Sequence, residues 1–448
     1  MRVEDMILVS IDDHVVEPPD MFTRHVPAKW ADQAPKVVTT EDGFQSWEFN
    51  GNRTGTLSLN AVVSWPPEEW GLDPAGYAEM RPGAYDIHER VRDMNRNGIF
   101  ASMCFPTFPG FSAGNLNRGR NELAYAMVQA YNDWHIDEWA TAYPGRFIPL
   151  ALLPTWDSAL MVAEIRRVSA KGCRAVSMPE LPHIEGLPSY HDLGHWGPVF
   201  EALSDTGMVM CLHIGQGFGA LKQPSDAPID NFIILATQVS TLAAQDLLWG
   251  PAMRNYPSLK IAWSEAGIGW IPFYLSRCDR HYLNQRWLRR DFGGKLPSEV
   301  FRDHSLACYV TDPVALKVRH DIGIDIIAWE CDYPHSDSIW PDAPEQVMAE
   351  MTDTGASDDD INKITWQNSC RFFDWDPFRG LAHEQATVGA LRAQATDVDI
   401  RGRPRTYGAA RTAAGAGGGA AASPGARARA ATAAGQAFRA RPAAVRIA

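Results

Sequence analysis

The chain has 448 residues, 45% of them hydrophobic and 21% charged, which excludes a disordered protein and leaves room for one large domain or two ordinary ones. Its net charge of −13 is uneven: nine Arg and no Lys, Asp or Glu follow from Arg401 on, so the first 400 residues carry −22. A body that acidic argues against nucleic acid or anionic membranes as partners.

The seven cysteines (Cys104, Cys173, Cys211, Cys278, Cys308, Cys331 and Cys370) are scattered, with no CxxC pair, so they suggest neither a zinc ribbon nor a disulfide framework. Several sit in apolar runs, where a free thiol acts as a small hydrophobe. With an N-terminus that lacks a signal-peptide pattern and no apolar run of membrane-spanning length, a reducing cytoplasm is the expected location.

Taken in chain order, strand-like runs are predicted at residues 7–11, 100–105, 147–152, 174–178, 208–213, 259–263, 307–310 and 325–329. Helical periodicity fills 86–96, 121–140, 157–170, 197–205 and 232–254 between them. Alternation of this kind predicts an α/β fold with a parallel sheet. Eight strands is the count a closed (β/α)₈ TIM barrel needs, although a doubly wound sheet has the same periodicity. We expect the barrel to span residues 1–385.

Two regions break the rhythm. Residues 26–85 are too long for a βα loop and are rich in Trp and Pro. They carry a hairpin signal over 46–52, with Asn50-Gly51 at the turn. An insertion after the first strand of a barrel emerges on the catalytic face, so it reads as a cap or a subunit contact, with a plain surface elaboration as the alternative. Residues 386–448 are low in complexity, dominated towards the end by Ala, Gly and Arg, and disorder is expected from about 401.

Four polar motifs each end an apolar run: Asp12-Asp13-His14, His213, Ser264-Glu265 and Asp332. Carboxylates and imidazoles at the C-terminal ends of parallel strands are how a barrel assembles an active site. Asp12 and His14, two apart on a strand, share a face and can hold one ion from two sides. Oxygen plus imidazole suits Zn²⁺, Mn²⁺ or Fe²⁺ better than Ca²⁺. An Asp-x-His pair alone is as often a hydrogen-bonded turn, a lone His as often part of the core, and Asp332 as often a cap. It is their joint placement that points to a metal. No GxGxxG follows the first strand, which argues against a nucleotide enzyme.

Asp12-x-His14-x-x-Glu17-Pro18, the strand-ending His213, Glu265-x-Gly267-x-Gly269-Trp270-Ile271-Pro272 and Asp332-Tyr333-Pro334-His335 together resemble the amidohydrolase-related family. More narrowly, they are similar to the branch that holds aminocarboxymuconate semialdehyde decarboxylase and the resorcylate-type decarboxylases, over residues 9–378. The resemblance implies a TIM barrel, one divalent ion (Zn or Mn), and Asp12, His14, His213 and Asp332 as its ligands. It also implies a small-molecule substrate and a homo-oligomer, a dimer or larger. The chain departs from the family pattern twice: Asp12 stands where His or Glu is usual, and Glu265 where an acid–base His follows the sixth strand.

The expected activity is therefore metal-dependent decarboxylation of a small carboxylated aromatic or unsaturated acid, with His213 at the metal and Asp332, together with Glu265, as the proton source. Hydrolysis of an ester, lactone or amide by metal-activated water uses the same ligands and stays open. So does a catalytically silent metal-binding barrel. Arg277, Glu180 and His191 are the candidates for substrate binding. Glu17 is expected to hold the first loop or orient a ligand histidine, and His335 to partner Asp332. Serine-nucleophile hydrolysis is set aside.

Overall fold

The computed structural model describes residues 1–401 apart from 42, 71–73, 225 and 229. Eight parallel strands appear where apolar runs predict them: β1 (Val9–Val15), β2 (Ala101–Pro106), β3 (Leu150–Leu152), β4 (Ala175–Met178), β5 (Val209–His213), β6 (Lys260–Ser264), β7 (Ser305–Tyr309) and β8 (Ile327–Trp329). β1 pairs with β2, and β3 to β8 pair in chain order. A bridge between Ser102 and Phe147 joins β2 to the approach to β3.

Between β8 and β1 the chain is tied by Asp332 N–H to Asp12 C=O (2.9 Å), His14 N–H to Tyr333 C=O (2.7 Å) and Cys331 N–H to Ser10 Oγ (2.8 Å). First and last strands thus meet, and the sheet is a barrel rather than a doubly wound layer.

β1 is longer than its apolar run, because pairing with β2 continues through Asp13↔Cys104 and His14↔Phe105. Its register slips by one residue between Ser10 and Asp13. Strict alternation would turn Val9, Ile11 and Asp13 inward. The bulge instead brings Ile11 and Asp12 to the same side, so that Asp12 and His14 face the barrel axis while Asp13 faces β2.

The helices begin where the sequence caps them. Asp86 accepts from the His88 and Glu89 amides before helix Ile87–Asn97, which Gly98 ends at φ +72. Asn121, Asp157 and Asp192 cap helices Glu122–Trp134, Ser158–Ala170 and Leu193–Thr206 in the same way. The helix expected over 232–254 is two, Asp230–Trp249 and Pro251–Asn255, because Pro251 opens a new first turn after Gly250. The longer one meets the length and composition of a membrane span, but Val239, Ala243 and Leu247 bury its inner face in this structure.

Inside the barrel, Val9, Ile11, Met103, Leu150, Val209, Cys211, Leu306 and Cys308 pack together. Phe373, Ala386 and Leu391 join this cluster at its lower end. The stretch that composition assigns to the tail therefore starts on the barrel. Val388 N–H bonds Met6 C=O (2.9 Å), and Arg81 Nη1 donates to Asp399 C=O (3.0 Å). The disorder expected from about 401 falls beyond the described residues.

The insertion forms a three-stranded antiparallel sheet, with strands Gln45–Phe49 and Asn52–Arg53 joined at Asn50 (φ +51) and Gly51 (φ +72). Both turn residues are left-handed, as a type I′ hairpin requires. Trp47 is fully buried and stacks on Phe108 at 4.7 Å, over the loop that leaves β2. Val63 N–H reaches Pro334 C=O (3.0 Å), Asn60 Oδ1 accepts from Ser336 N–H (2.8 Å), and Tyr77 Oη donates to Glu17 C=O (2.6 Å). The insertion thus lies on the loops that follow β1, β2 and β8.

Candidate metal centre

Asp12, His14, His213 and Asp332 converge at the C-terminal end of the barrel. His14 Nε2 is 3.2 Å from His213 Nε2, 3.2 Å from Asp332 Oδ1 and 3.5 Å from Asp12 Oδ1. His213 Nε2 is also 3.5 Å from Asp12 Oδ1 and 3.3 Å from Glu265 Oε2. These separations match the edges of a coordination polyhedron: bonds of about 2.1 Å give edges of about 3.0 Å in an octahedron and about 3.4 Å in a tetrahedron.

The donor set fits a divalent cation on a second count. Both Asp12 oxygens and Asp332 Oδ2 are buried without a well-formed hydrogen bond. Leaving buried carboxylates so poorly compensated costs several kcal/mol unless a positive charge lies among them. Burial, then the charges of Asp332 and Asp13, push the Asp12 carboxyl well above its usual range. Asp332 is buried too, yet His335 and His14 hold its carboxyl low. Burial first, and then the nearby His335, depress the His14 imidazole, leaving it neutral as a ligand must be.

The residues around the ligands fix their aim. His213 Nδ1 hydrogen-bonds Ile214 C=O (2.6 Å), which turns Nε2 toward the cluster. His335 Nδ1 lies 2.9 Å from Asp332 Oδ1, and its ring lies 3.9 Å from that of His14 at a tilt of 31°. Asp13 accepts from Ser10 Oγ (3.0 Å), Tyr333 N–H (3.0 Å) and the Ser102 hydroxyl, tying β1 to β2 and to the loop after β8. Arg90 donates to the His14 carbonyl and to Gly83 C=O (2.6 Å). Phe111 lies 3.9 Å from the His213 ring and Phe105 4.8 Å, an apolar wall over the imidazoles.

Glu265 and Asp332 both adopt left-handed backbone, at φ +53 and +60. Such conformations cost of order 1–3 kcal/mol and persist where surrounding contacts enforce them. The Glu265 side chain is 23% exposed while those of Asp12 and Asp332 are at most 1%. Burial, then Asp332, raise its carboxyl well above the usual range.

Of the remaining candidates, Glu180 lies beside the site. It is buried, accepts from Gly217 N–H (3.3 Å) and Ser240 Oγ (3.2 Å), and burial pushes its carboxyl to about 8. It holds the loop that follows His213. Glu17 accepts from the Thr107 and Phe108 amides (3.0 and 2.9 Å), so it ties the first loop to the second. Arg277 and His191 are not brought to the cluster. Arg277 is exposed on the outward face of helix Trp270–Asn284, on the same side as Phe273. His191 is half-exposed, 3.5 Å from Asp246 on the outer helix layer.

Two further residues reach the centre without having been predicted there. Glu330 and Cys308 are fully buried at the ends of β8 and β7, and Glu330 Oε2 accepts from Glu265 N–H (3.2 Å) and from the Cys308 thiol. A glutamate directly following Ile326-Ile327-Ala328-Trp329 is the signal that was available. The sequence also contains one Gly-x-Ser-x-Gly pattern, Gly110-Phe111-Ser112-Ala113-Gly114, which the setting aside of serine chemistry overlooks. The structure excludes it as a nucleophile elbow: Ser112 lies in a loop six residues past β2, and its hydroxyl donates to Glu185 (3.4 Å) rather than to a histidine.

Comparison with solved structures finds this barrel in several enzymes. An amidohydrolase from Mycobacterium avium subsp. paratuberculosis K-10 is similar with a TM-score of 0.66 at 20% identity, covering 82% of this chain and 99% of its own. A 5-carboxyvanillate decarboxylase from Novosphingobium aromaticivorans, solved with bound manganese, gives 0.56 at 16% identity, covering 84% and 99%. A dihydroxybenzoic acid decarboxylase from Polaromonas sp. JS666, also with manganese, gives 0.53 at 19%, covering 82% and 97%. No curated protein matches in sequence. A family model described as Amidohydrolase matches residues 25–375, a range that starts after Asp12 and His14 and takes in His213, Glu265 and Asp332. With that match over most of its length, the chain belongs to the amidohydrolase family of metal-dependent enzymes.

Proposed function

We propose that the protein is a non-oxidative carboxy-lyase acting on a small carboxylated aromatic or unsaturated acid. Asp12, His14, His213 and Asp332 would hold one Zn²⁺ or Mn²⁺, which when bound supplies the positive charge that grips the substrate carboxylate and a neighbouring oxygen. The observation that carries the reading is the position of Glu265. It is the partly exposed carboxyl of the cluster, 3.3 Å from His213, with its ordinary range shifted upward toward the protonated form. As a partly exposed carboxyl at the edge of the cluster, Glu265 would hand a proton to the carbon that keeps the electron pair of the breaking C–C bond as CO₂ leaves.

Asp332, favoured for that role from sequence, is held ionised by His335 and His14 and serves better as a ligand. Phe111, partly exposed over the His213 ring, offers a flat apolar surface to a planar acid, while Phe105 packs fully buried against the same ring. Glu180 would set the loop over the entrance rather than touch the reacting carbon. The similar solved structures include a 2,6-dihydroxybenzoate decarboxylase with its substrate bound, which supports the class at the level of the fold.

The test is to load the purified protein with Zn²⁺ or Mn²⁺ and follow CO₂ release from a panel of hydroxylated benzoic acids and unsaturated dicarboxylic acids. Lactones and aryl esters are run in parallel. Ester or lactone turnover with no CO₂ from any acid would replace this reading with the hydrolytic one.

A further inference from the structure

Beside the four ligands, two more carboxyl groups crowd the end of the barrel, Glu265 and Glu330. Glu330 Oε1 is buried and has no hydrogen-bond partner among the described residues, although its Oε2 has two. It is one residue type in a second group of donors. Asp12, Cys308 and Glu330 each bring a ligand atom within 4.8 Å of the other two, all three side chains being fully buried.

This group lies on the inner side of the first. Cys308 belongs to the packed barrel interior, and its thiol also points at Trp263 C=O (3.4 Å). Asp12 belongs to both groups, and both of its oxygens lack a well-formed bond, as a carboxylate bridging two ions requires.

We propose that Asp12, Cys308 and Glu330 form a second divalent-cation site deeper in the barrel, with Asp12 shared between the two ions. The proposal rests on the metal reading of the first site. The Cys308 thiol releases its proton when it ligates, and the resulting thiolate with two carboxylates suits Zn²⁺ and discriminates against Mn²⁺, Mg²⁺ and Ca²⁺. The first site, built from two imidazoles and two carboxylates, accepts Zn²⁺ or Mn²⁺. The two ions thus differ in which metals they admit.

Metal content per chain, measured by elemental mass spectrometry after saturation and gel filtration, separates the outcomes. Wild type should hold two Zn²⁺ but one Mn²⁺, and Cys308→Ser and Glu330→Gln should each fall to one Zn²⁺. Cobalt-loaded wild type should show a sulfur-to-cobalt charge-transfer absorption that Cys308→Ser lacks, a readout that needs no variant to fold for its first half. One Zn²⁺ in wild type, or a second Zn²⁺ kept in both variants, overturns the inner site and leaves the outer one standing. No bound metal in wild type overturns the outer centre itself.

Discussion

The residue that decides the chemistry is Glu265, because a carboxyl that donates a proton and one that holds a metal respond differently to amidation. Glu265→Gln should lower kcat by about 10²–10⁴-fold while bound metal is retained, since Asp12, His14, His213 and Asp332 stay in place. Loss of metal together with activity would make Glu265 a ligand. His213→Ala should lose the metal outright, because its Nε2 touches three other members of the cluster. Glu17 gives a prediction for stability. Burial raises its carboxyl from 4.5 to about 7, so the folded state binds the proton more tightly than the unfolded chain. Its stabilising effect is whole below pH 4.5 and lost as pH rises to about 7, a loss of at most about 3 kcal/mol. Urea midpoints at pH 5 and pH 8 should therefore diverge less in Glu17→Gln than in wild type. An equal divergence would show that Glu17 is ionised throughout. At this scale the convergence of four polar side chains is legible in the sequence, their role as ligands being our proposal. Asp12, His14, His213 and Asp332 end apolar runs, and burial there leaves few roles for a charge. Arg277 and His191 lie apart from the cluster, which their proximity in sequence to β6 and β4 does not reveal, since it says nothing of which side of a helix or loop faces inward.

Among the elements, strands were legible and their ends were not. Each of the eight apolar runs is a barrel strand, yet β1 continues four residues past the predicted end, because β2 supplies partners for polar residues that hydrophobicity cannot count. The bulge in β1 has no signature in Val9-Ser10-Ile11-Asp12-Asp13-His14, since it is fixed by the register with Ser102 and Cys104 on another strand. The hairpin at Asn50-Gly51 was legible because turn chemistry is local. What the insertion does can be tested through Trp47, which is fully buried and stacked on Phe108. Trp47→Ala should cost about 3–5 kcal/mol in chemical denaturation, as an aromatic truncation in a packed core does. A loss below about 1 kcal/mol would mean that the cap hangs loosely on the barrel. Gly51→Val forces a β-branched side chain into a left-handed turn and should destabilise by about 1–2 kcal/mol without touching the site.

For the molecule as a whole, we expect the stability of the barrel to depend on the chain past residue 385. Residues 386–400 are short of large apolar side chains, yet Ala386, Val388 and Leu391 are buried at the foot of the barrel, where small residues are what the space admits. A chain ending at 401 should keep the thermal midpoint of the full-length protein, whereas one ending at 385 should melt lower by more than about 5 °C or fail to accumulate as soluble protein. Equal midpoints would show that the barrel closes without this segment. The same seam carries a kinetic consequence. The contacts that join β1 to β8 and Met6 to Val388 link residues more than 300 positions apart, and the ligands Asp12 and Asp332 sit on that seam. During synthesis the first strand emerges long before any of its last partners, and contacts so distant in sequence are the slowest to form. Metal uptake should thus be the final event of maturation, and a ribosome-bound chain released after β7 should bind no ion however complete its other strands are.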